Sequence, residues 1–415
     1  MRAKLDRFSA AAWGVGLRGG GLVGRFLLTL FIASQLGLAE LGLYGLIASG
    51  ATIVPSILGL GLNGVLSRHV VGRPLDECLP LLAGRLATTL VMHIAALPLA
   101  ILVAVCVAPE LGAIFFALTW AVLCLDNLAA DVHAFLIARH RGELAGGLLF
   151  VRSGGWPLAF IASASIWPEL RNMESVLAFW LAALVGCWGW LAISCWRQGR
   201  IAKMWPNLAW VRAQLGSSLP FHLYEMGSSL SQFIDRFLIS AVLGLTAAGI
   251  YTFYWSLANA VNALVFFGVV QPYTPSFTAA ARANDRQKQV RLMRELLTQV
   301  GLWAAGIAMA VSMALPVLLD ALGKDQLRGF AWLLAVLMAA VVARLVADST
   351  NLVLFAHHRD KLMAGITLCA AAFCSVGILA VGPSHGLMGV GCVALGTALL
   401  LGLSRATEAW RLLRS

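Results

Sequence analysis

Eleven ionisable side chains other than histidine stand inside apolar stretches of this chain: Arg18, Arg25, Arg85, Asp126, Asp131, Arg152, Glu225, Asp235, Arg236, Arg344 and Asp348. At roughly 3 kcal/mol for each at a bilayer centre, exposing all of them to lipid would cost on the order of 30 kcal/mol, more than the whole stability of most folds. They must face one another or water, so their chemistry defines what an enclosed polar space can hold. Arginine recognises phosphate and pyrophosphate through forked N–H bonds. Carboxylates in the same setting can bind a proton or a sodium ion, which makes Glu225, Asp235, Asp126, Asp131 and Asp348, with the neighbouring cations Arg236 and Arg344, candidates for ion coupling or for the polar lining of a cavity. Tyr251, Trp255, Asn259 and Asn262 set aromatic rings and amides along one stretch, a combination suited to stacking on a sugar and hydrogen-bonding to it. Packing between helices accounts for that stretch equally well, and Asp235 with Arg236, or Arg344 with Asp348, can simply neutralise each other.

The distribution of sign narrows the cargo. The first half carries Arg18, Arg25, Arg85 and Arg152 against Asp126 and Asp131, while the second carries Arg236 and Arg344 against Glu225, Asp235 and Asp348. A cationic chamber suits an anionic headgroup bound by the first four arginines. A carrier of cationic drugs calls for acids and apolar walls instead.

These residues have to be positioned by membrane helices. The chain is 60% hydrophobic and only 12% charged, with a mean hydropathy of +0.85, well outside soluble composition. Runs of about 20 apolar residues, enough to cross a bilayer, occur at 13–34, 41–67, 79–107, 111–138, 145–166, 175–196, 215–243, 246–270, 296–319, 329–355, 362–382 and 386–404. Placing both termini in the cytoplasm puts 21 of the 30 Lys and Arg on that side and three outside, as the positive-inside rule requires. The net charge of +11 is thus a signal of topology and needs no nucleic-acid partner. Arg18 and Arg25 interrupt the first apolar run and no cleavage site follows, so it reads as an uncleaved first helix. The eight cysteines form no CxxC pair, which argues for packing roles and against a metal cluster.

The chain is also written twice. Leu36-Gly37-Leu38, Gly42 and Tyr44 reappear as Leu243-Gly244-Leu245, Gly249 and Tyr251, 207 residues later in a chain of 415. The expected fold is an all-α polytopic membrane protein, with about twelve transmembrane helices in two six-helix lobes related as parallel repeats around a central cavity. The division falls into residues 1–200, a cytoplasmic linker at 201–214, and residues 215–415. On the helix from Leu215, Ser218, His222, Glu225, Ser229, Gln232 and Arg236 alternate by four and three residues and share a face. The offset aligns Glu225 with Arg18 and Gln232 with Arg25, so one face recurs with different chemistry. Gly59, Gly61 and Gly64 match a dinucleotide fingerprint, but that motif needs a preceding strand, which a transmembrane run cannot supply. Glycines 14, 16, 19, 20, 21 and 24 of the first run fit either close helix approach or a bendable helix.

Two segments carry a resemblance to a known family: "GRFLLTLFIASQLGLAELGLYGLIAS" and "SQFIDRFLISAVLGLTAAGIYTFYWSLANAV". They resemble the corresponding segments of bacterial oligosaccharide flippases for O-antigen and polysaccharide repeats (Wzx-type), in the multidrug/oligosaccharidyl-lipid/polysaccharide (MOP) exporter superfamily. The resemblance implies a carrier in the bacterial inner membrane that moves an undecaprenyl-pyrophosphate-linked oligosaccharide between leaflets by alternating access. It implies no cofactor beyond a transported proton or sodium ion. Polysaccharide polymerase and chain-length proteins, with membrane lipids, are the implied partners. It assigns the headgroup role to Arg18, Arg25 and Arg85, and Asp235-Arg236 matches the family's DR pair. A multidrug or metabolite exporter of the same superfamily is the alternative. A polymerase or ligase fits less well, because such enzymes need catalytic groups on a large external loop and every such loop here is short.

Overall fold

The computed structural model describes residues 19–107 and 110–414. Every regular element among them is helical, as expected where backbone N–H and C=O groups have no water to bond. Leaving aside three short turns, in order they are α1 (Gly19–Leu36), α2 (Leu38–Leu58), α3 (Leu62–Val70), α4 (Leu75–Val107), α5 (Ala113–Ala138), α6 (Gly142–Ile166), α7 (Met173–Arg197), α8 (Leu208–Leu243), α9 (Leu245–Arg282), α10 (Arg286–Leu322) and α11 (Ala331–Ala356). The final run, Asp360–Arg414, is two helices, α12 (360–385) and α13 (387–414), joined at Gly386, whose φ of 57° and ψ of −144° are not helical. Ten helices are long and apolar enough to cross a membrane when that run is taken as one. Separating α12 from α13 and adding the more polar α8 gives the twelve spans expected.

One expected span is interrupted. The run read as 41–67 is α2 followed by α3, broken at Leu60 and Gly61, which have φ of 53° and 64°. The cause is a close approach within the first packing unit: a Cβ on Gly61 would lie 2.5 Å from both Ser218 O and His222 N of α8. Of the three glycines that mimic a nucleotide fingerprint, Gly61 is therefore the one that serves backbone contact between helices. The charged stretch at 279–294 is the end of α9 and the start of α10, separated by a turn at 283–285.

By packing, the described chain divides into one unit of residues 19–31 and 50–222 and a second of 32–49 and 223–414. The packing boundary inside α8, at His222–Leu223, lies beyond the 201–214 linker at which the sequence repeat was divided. In the first unit Leu66, Val70, Cys78, Leu81, Leu82 and Phe135 form a buried cluster joining α3, α4 and α5. In the second, Phe277, Met293, Val353, Leu354 and Met363 join α9 to α12. Both copies of the repeated motif belong to the second unit and lie against each other. A Cβ on Gly42 would fall into the carbonyl oxygen of Leu245, and one on Gly249 into that of Leu38. Only hydrogen at these two positions lets α2 and α9 cross backbone to backbone.

Candidate functional site

In the first unit, Arg85, Thr89 and His93 recur at four-residue steps on α4, and Asn127 and Asp131 are one such step apart on α5. Each set shares a face. Arg85 Nη2 donates to Asp131 Oδ1 at 2.9 Å, Arg85 Nε to Asn63 Oδ1 at 3.0 Å, Asn63 Nδ2 to Asp131 Oδ1 at 2.8 Å, and Thr89 Oγ1 to Asp131 Oδ2 at 2.6 Å. Arg85 and Asp131 are both 0% exposed, so this network ties α3, α4 and α5 in a setting where an unpaired charge would be very costly.

Asp126, five residues before Asp131, points to a different neighbour. Arg152 forks onto it, Nε to Oδ1 at 2.6 Å and Nη2 to Oδ2 at 2.8 Å. Arg152 sits in a π-turn, Val151–Gly155, within α6; such bulges re-aim a side chain by one residue and cluster at functional sites. α1 presses on that turn, where a Cβ on Gly24 would lie 2.7 Å from Gly154 O. Close approach is thus the use of Gly24 in the glycine-rich first helix.

The second unit has a pair of another kind. Asp235 Oδ1 accepts from the Arg236 backbone N–H at 2.8 Å and from Arg236 Nη1 at 3.1 Å, and the Tyr251 hydroxyl donates to Oδ2 at 2.5 Å. The Arg236 guanidinium lies 3.9 Å from the Trp255 ring centre, a cation–π contact. Asp235, Tyr251 and Trp255 line a cavity of ≈ 50 Å³ with Gln232, Asn259 and Arg344, room for about four waters. Asn262 also lines it, and its Oδ1 is buried without a hydrogen-bond partner.

Arg344 does not pair with Asp348, four residues on. Asp348 Oδ1 instead accepts from Arg405 Nη1 of α13 at 2.8 Å. Among the described residues Arg344 has no ion pair or hydrogen bond, its charged neighbours being Asp348 and Arg405 at longer range. It is the cation that the cavity wall leaves open.

Of the remaining sequence candidates, Arg18 lies outside the described residues. Arg25 is exposed on α1 and has no ion pair among the described residues. Glu225 is half-buried on α8. The structure thus brings Asp235, Tyr251, Trp255, Asn259, Asn262 and Arg344 together, and it sets Arg85 with Asp131, and Arg152 with Asp126, elsewhere in the first unit. Sequence reasoning missed Arg405, which is absent from the candidates above and is 1% exposed. A signal existed: Thr397, Leu401 and Arg405 are buried at four-residue steps, so the helical stripe of α13 runs through Arg405.

Residues 17–281 match the family described as "Polysaccharide biosynthesis protein", which is more than half of the chain. No curated protein matches. Solved structures do, at low identity. A multidrug resistance MATE family transporter of the MOP superfamily, in an inward-facing conformation, is similar with a TM-score of 0.72 at 15% identity, over 95% of this chain and 96% of that one. A MOP superfamily transporter from Pyrococcus furiosus, described as having a binding pocket of reverse polarity that suggests a different function, is similar with a TM-score of 0.64 at 14% identity, over 96% of this chain and 94% of that one. A Vibrio cholerae MATE transporter follows with 0.61 at 16%, over 98% and 97%. A twelve-span helical fold with buried arginine–aspartate pairs, matched over its length by MOP transporters and over residues 17–281 by one family, belongs to a multi-pass membrane protein of the polysaccharide biosynthesis protein family.

Proposed function

We propose that this protein is a transporter that moves an undecaprenyl-pyrophosphate-linked oligosaccharide, an O-antigen or exopolysaccharide repeat unit, across the bacterial inner membrane by alternating access. The family match supports a task in polysaccharide assembly. The observation that carries the choice of cargo is the state of the buried charges. Asp126, Asp131, Asp235 and Asp348 are each held by an arginine, whereas Arg344 in the cavity wall and Arg25 on α1 have no such partner among the described residues. A cationic drug needs an open carboxylate; an anionic headgroup or sugar meets an open guanidinium. Trp255, Asn259 and Asn262 beside Arg344 supply the ring face and amides that a glycan uses. In this reading a proton or sodium ion resets the carrier, and polymerase and chain-length proteins take up the delivered glycan.

The test is reconstitution of the purified protein in vesicles with a fluorescent lipid-pyrophosphate-linked oligosaccharide on one leaflet and a membrane-impermeant quencher outside. The expected outcome is protein-dependent appearance of the glycan in the opposite leaflet, lost in Arg344→Gln. Protein-dependent movement of ethidium, with none of the glycan lipid, would overturn the reading in favour of the drug exporter.

A further inference from the structure

The network around Arg85 and Asp131 continues into a part of the first unit that neither cargo binding nor packing explains. His93 is 1% exposed, and its Nδ1 lies 2.9 Å from the carbonyl oxygen of Thr89. A carbonyl only accepts, so Nδ1 carries the hydrogen and Nε2 is the lone-pair nitrogen of the neutral ring. That Nε2 is buried with no protein partner. So are both amide atoms of Asn127, which is 0% exposed, and Nη1 of Arg85.

These atoms belong to one interface. α4 and α5 are antiparallel, and Thr89 is level with Asp131 because the two are hydrogen-bonded. Four residues along α4 from Thr89 is His93, and four residues back along α5 from Asp131 is Asn127. Both steps rise about 6 Å in the same direction, which puts His93 and Asn127 at one level, just beyond the ion pair. The His93 ring also lies 5.7 Å from the ring of Trp120, eleven residues before Asp131 and on the same face of α5. Leaving this many polar atoms buried and unbonded is unfavourable by about 1–3 kcal/mol each, so a native fold gives them a partner, whether a buried water or a ligand.

We propose that His93, with Asn127 beside it, is a proton-binding site linked through Thr89 to the Arg85–Asp131 pair. A proton taken up on Nε2 forms imidazolium; no other bond is made or broken, and the new N–H can donate to the Asn127 carbonyl oxygen directly or through a water. The charged groups that act on His93 are Arg85 of its own helix and Asp131 of α5. α3 contributes the neutral Asn63, and Asp126 is turned away onto Arg152. Protonation gives Asp131 a second cation to compensate, loosening its hold on Arg85 and so on the α3–α4–α5 junction. The site itself stands on geometry; its use in driving transport rests on the transporter reading.

Trp120 reports on it directly, because a protonated imidazole quenches a neighbouring indole. The chain has 14 tryptophans, so the signal is the difference between the wild-type protein and Trp120→Phe, both purified in lipid nanodiscs. On acidification from about pH 8 through the ordinary histidine range and beyond it, the Trp120 emission should fall reversibly. In His93→Gln, with His93→Asn as a second variant should the first fail to fold, it should stay flat. A pH-independent Trp120 signal in the wild type, or the same titration in both His93 variants, would overturn the proposal. In vesicles, an imposed pH gradient should speed wild-type glycan movement several-fold and leave His93→Gln insensitive to it. If Trp120 titrates through His93 while no glycan moves, the proton site stands and the cargo reading falls.

Discussion

Asp131 in the first unit and Asp235 in the second are each buried, paired with an arginine and capped by a hydroxyl, yet the two pairs are built differently. Asp131 meets an arginine 46 residues away and, through Asn63, a third helix. Asp235 meets the arginine next to it in sequence, and that arginine also rests on Trp255. The first pair is a joint between helices with no exposed surface. The second is a self-contained patch on a cavity wall, beside the open cation Arg344. Charge buried to hold helices together should therefore be separable by mutation from charge buried to meet a cargo.

The largest expected effect tests the joint. Asp131→Asn leaves Arg85 uncompensated in a fully buried site and should lower stability by about 3–5 kcal/mol, read as thermal unfolding of the purified protein. The double change Arg85→Met with Asp131→Leu should recover most of that loss, because a buried ion pair replaced whole by apolar groups is close to neutral. Asp235→Asn should lose only about 1–3 kcal/mol, since Arg236 keeps its seat on Trp255 and the Asn side chain can still accept from Tyr251. Equal losses at the two sites would remove the distinction.

A second contrast uses two arginines. Arg344→Gln breaks no ion pair, so stability should stay within about 0.5 kcal/mol while glycan movement falls at least about tenfold, equivalent to about 1.4 kcal/mol of binding. Arg152→Gln unpairs Asp126 and should show as lost stability first. Transport assayed beside unfolding for both variants checks the pattern, and a destabilised Arg344→Gln would make that arginine structural.

Much of this was legible in the sequence because it depends on local period and composition. The twelve spans follow from apolar length, the repeat from the two LGLxxxGxY strings, and the enclosure of Arg85, Asp126, Asp131 and Arg236 from the cost of placing charge in lipid. What was not legible is who pairs with whom. Arg344 and Asp348 share a helical face, but the nearer guanidinium to Asp348 comes from Arg405, 57 residues away, and only packing decides that. The break at Leu60–Gly61 was hidden for the same reason: an apolar run does not reveal that another backbone will cross it. The Asp235-Arg236 pair was readable because its partners are adjacent in the chain.

The finest comparison is between two asparagines. Asn127 in the first unit and Asn262 in the second both hold buried amide atoms with no protein partner, so replacing either by leucine of similar volume removes an unsatisfied group. Stability should change by no more than about 1 kcal/mol in either direction. The functional consequences should diverge. Asn127→Leu deprives a protonated His93 of its acceptor, so quenching of Trp120 should need more acid while the cavity beside Arg344 is untouched. Asn262→Leu should leave the Trp120 titration where it is and slow glycan movement a few-fold, because one hydrogen bond to the cargo is lost, worth about 1 kcal/mol. Measured together, the titration and the transport rate should respond to opposite members of the pair. If both variants move both readouts, the proton site and the cavity are parts of one network, and the separation between the joint and the cargo wall does not hold.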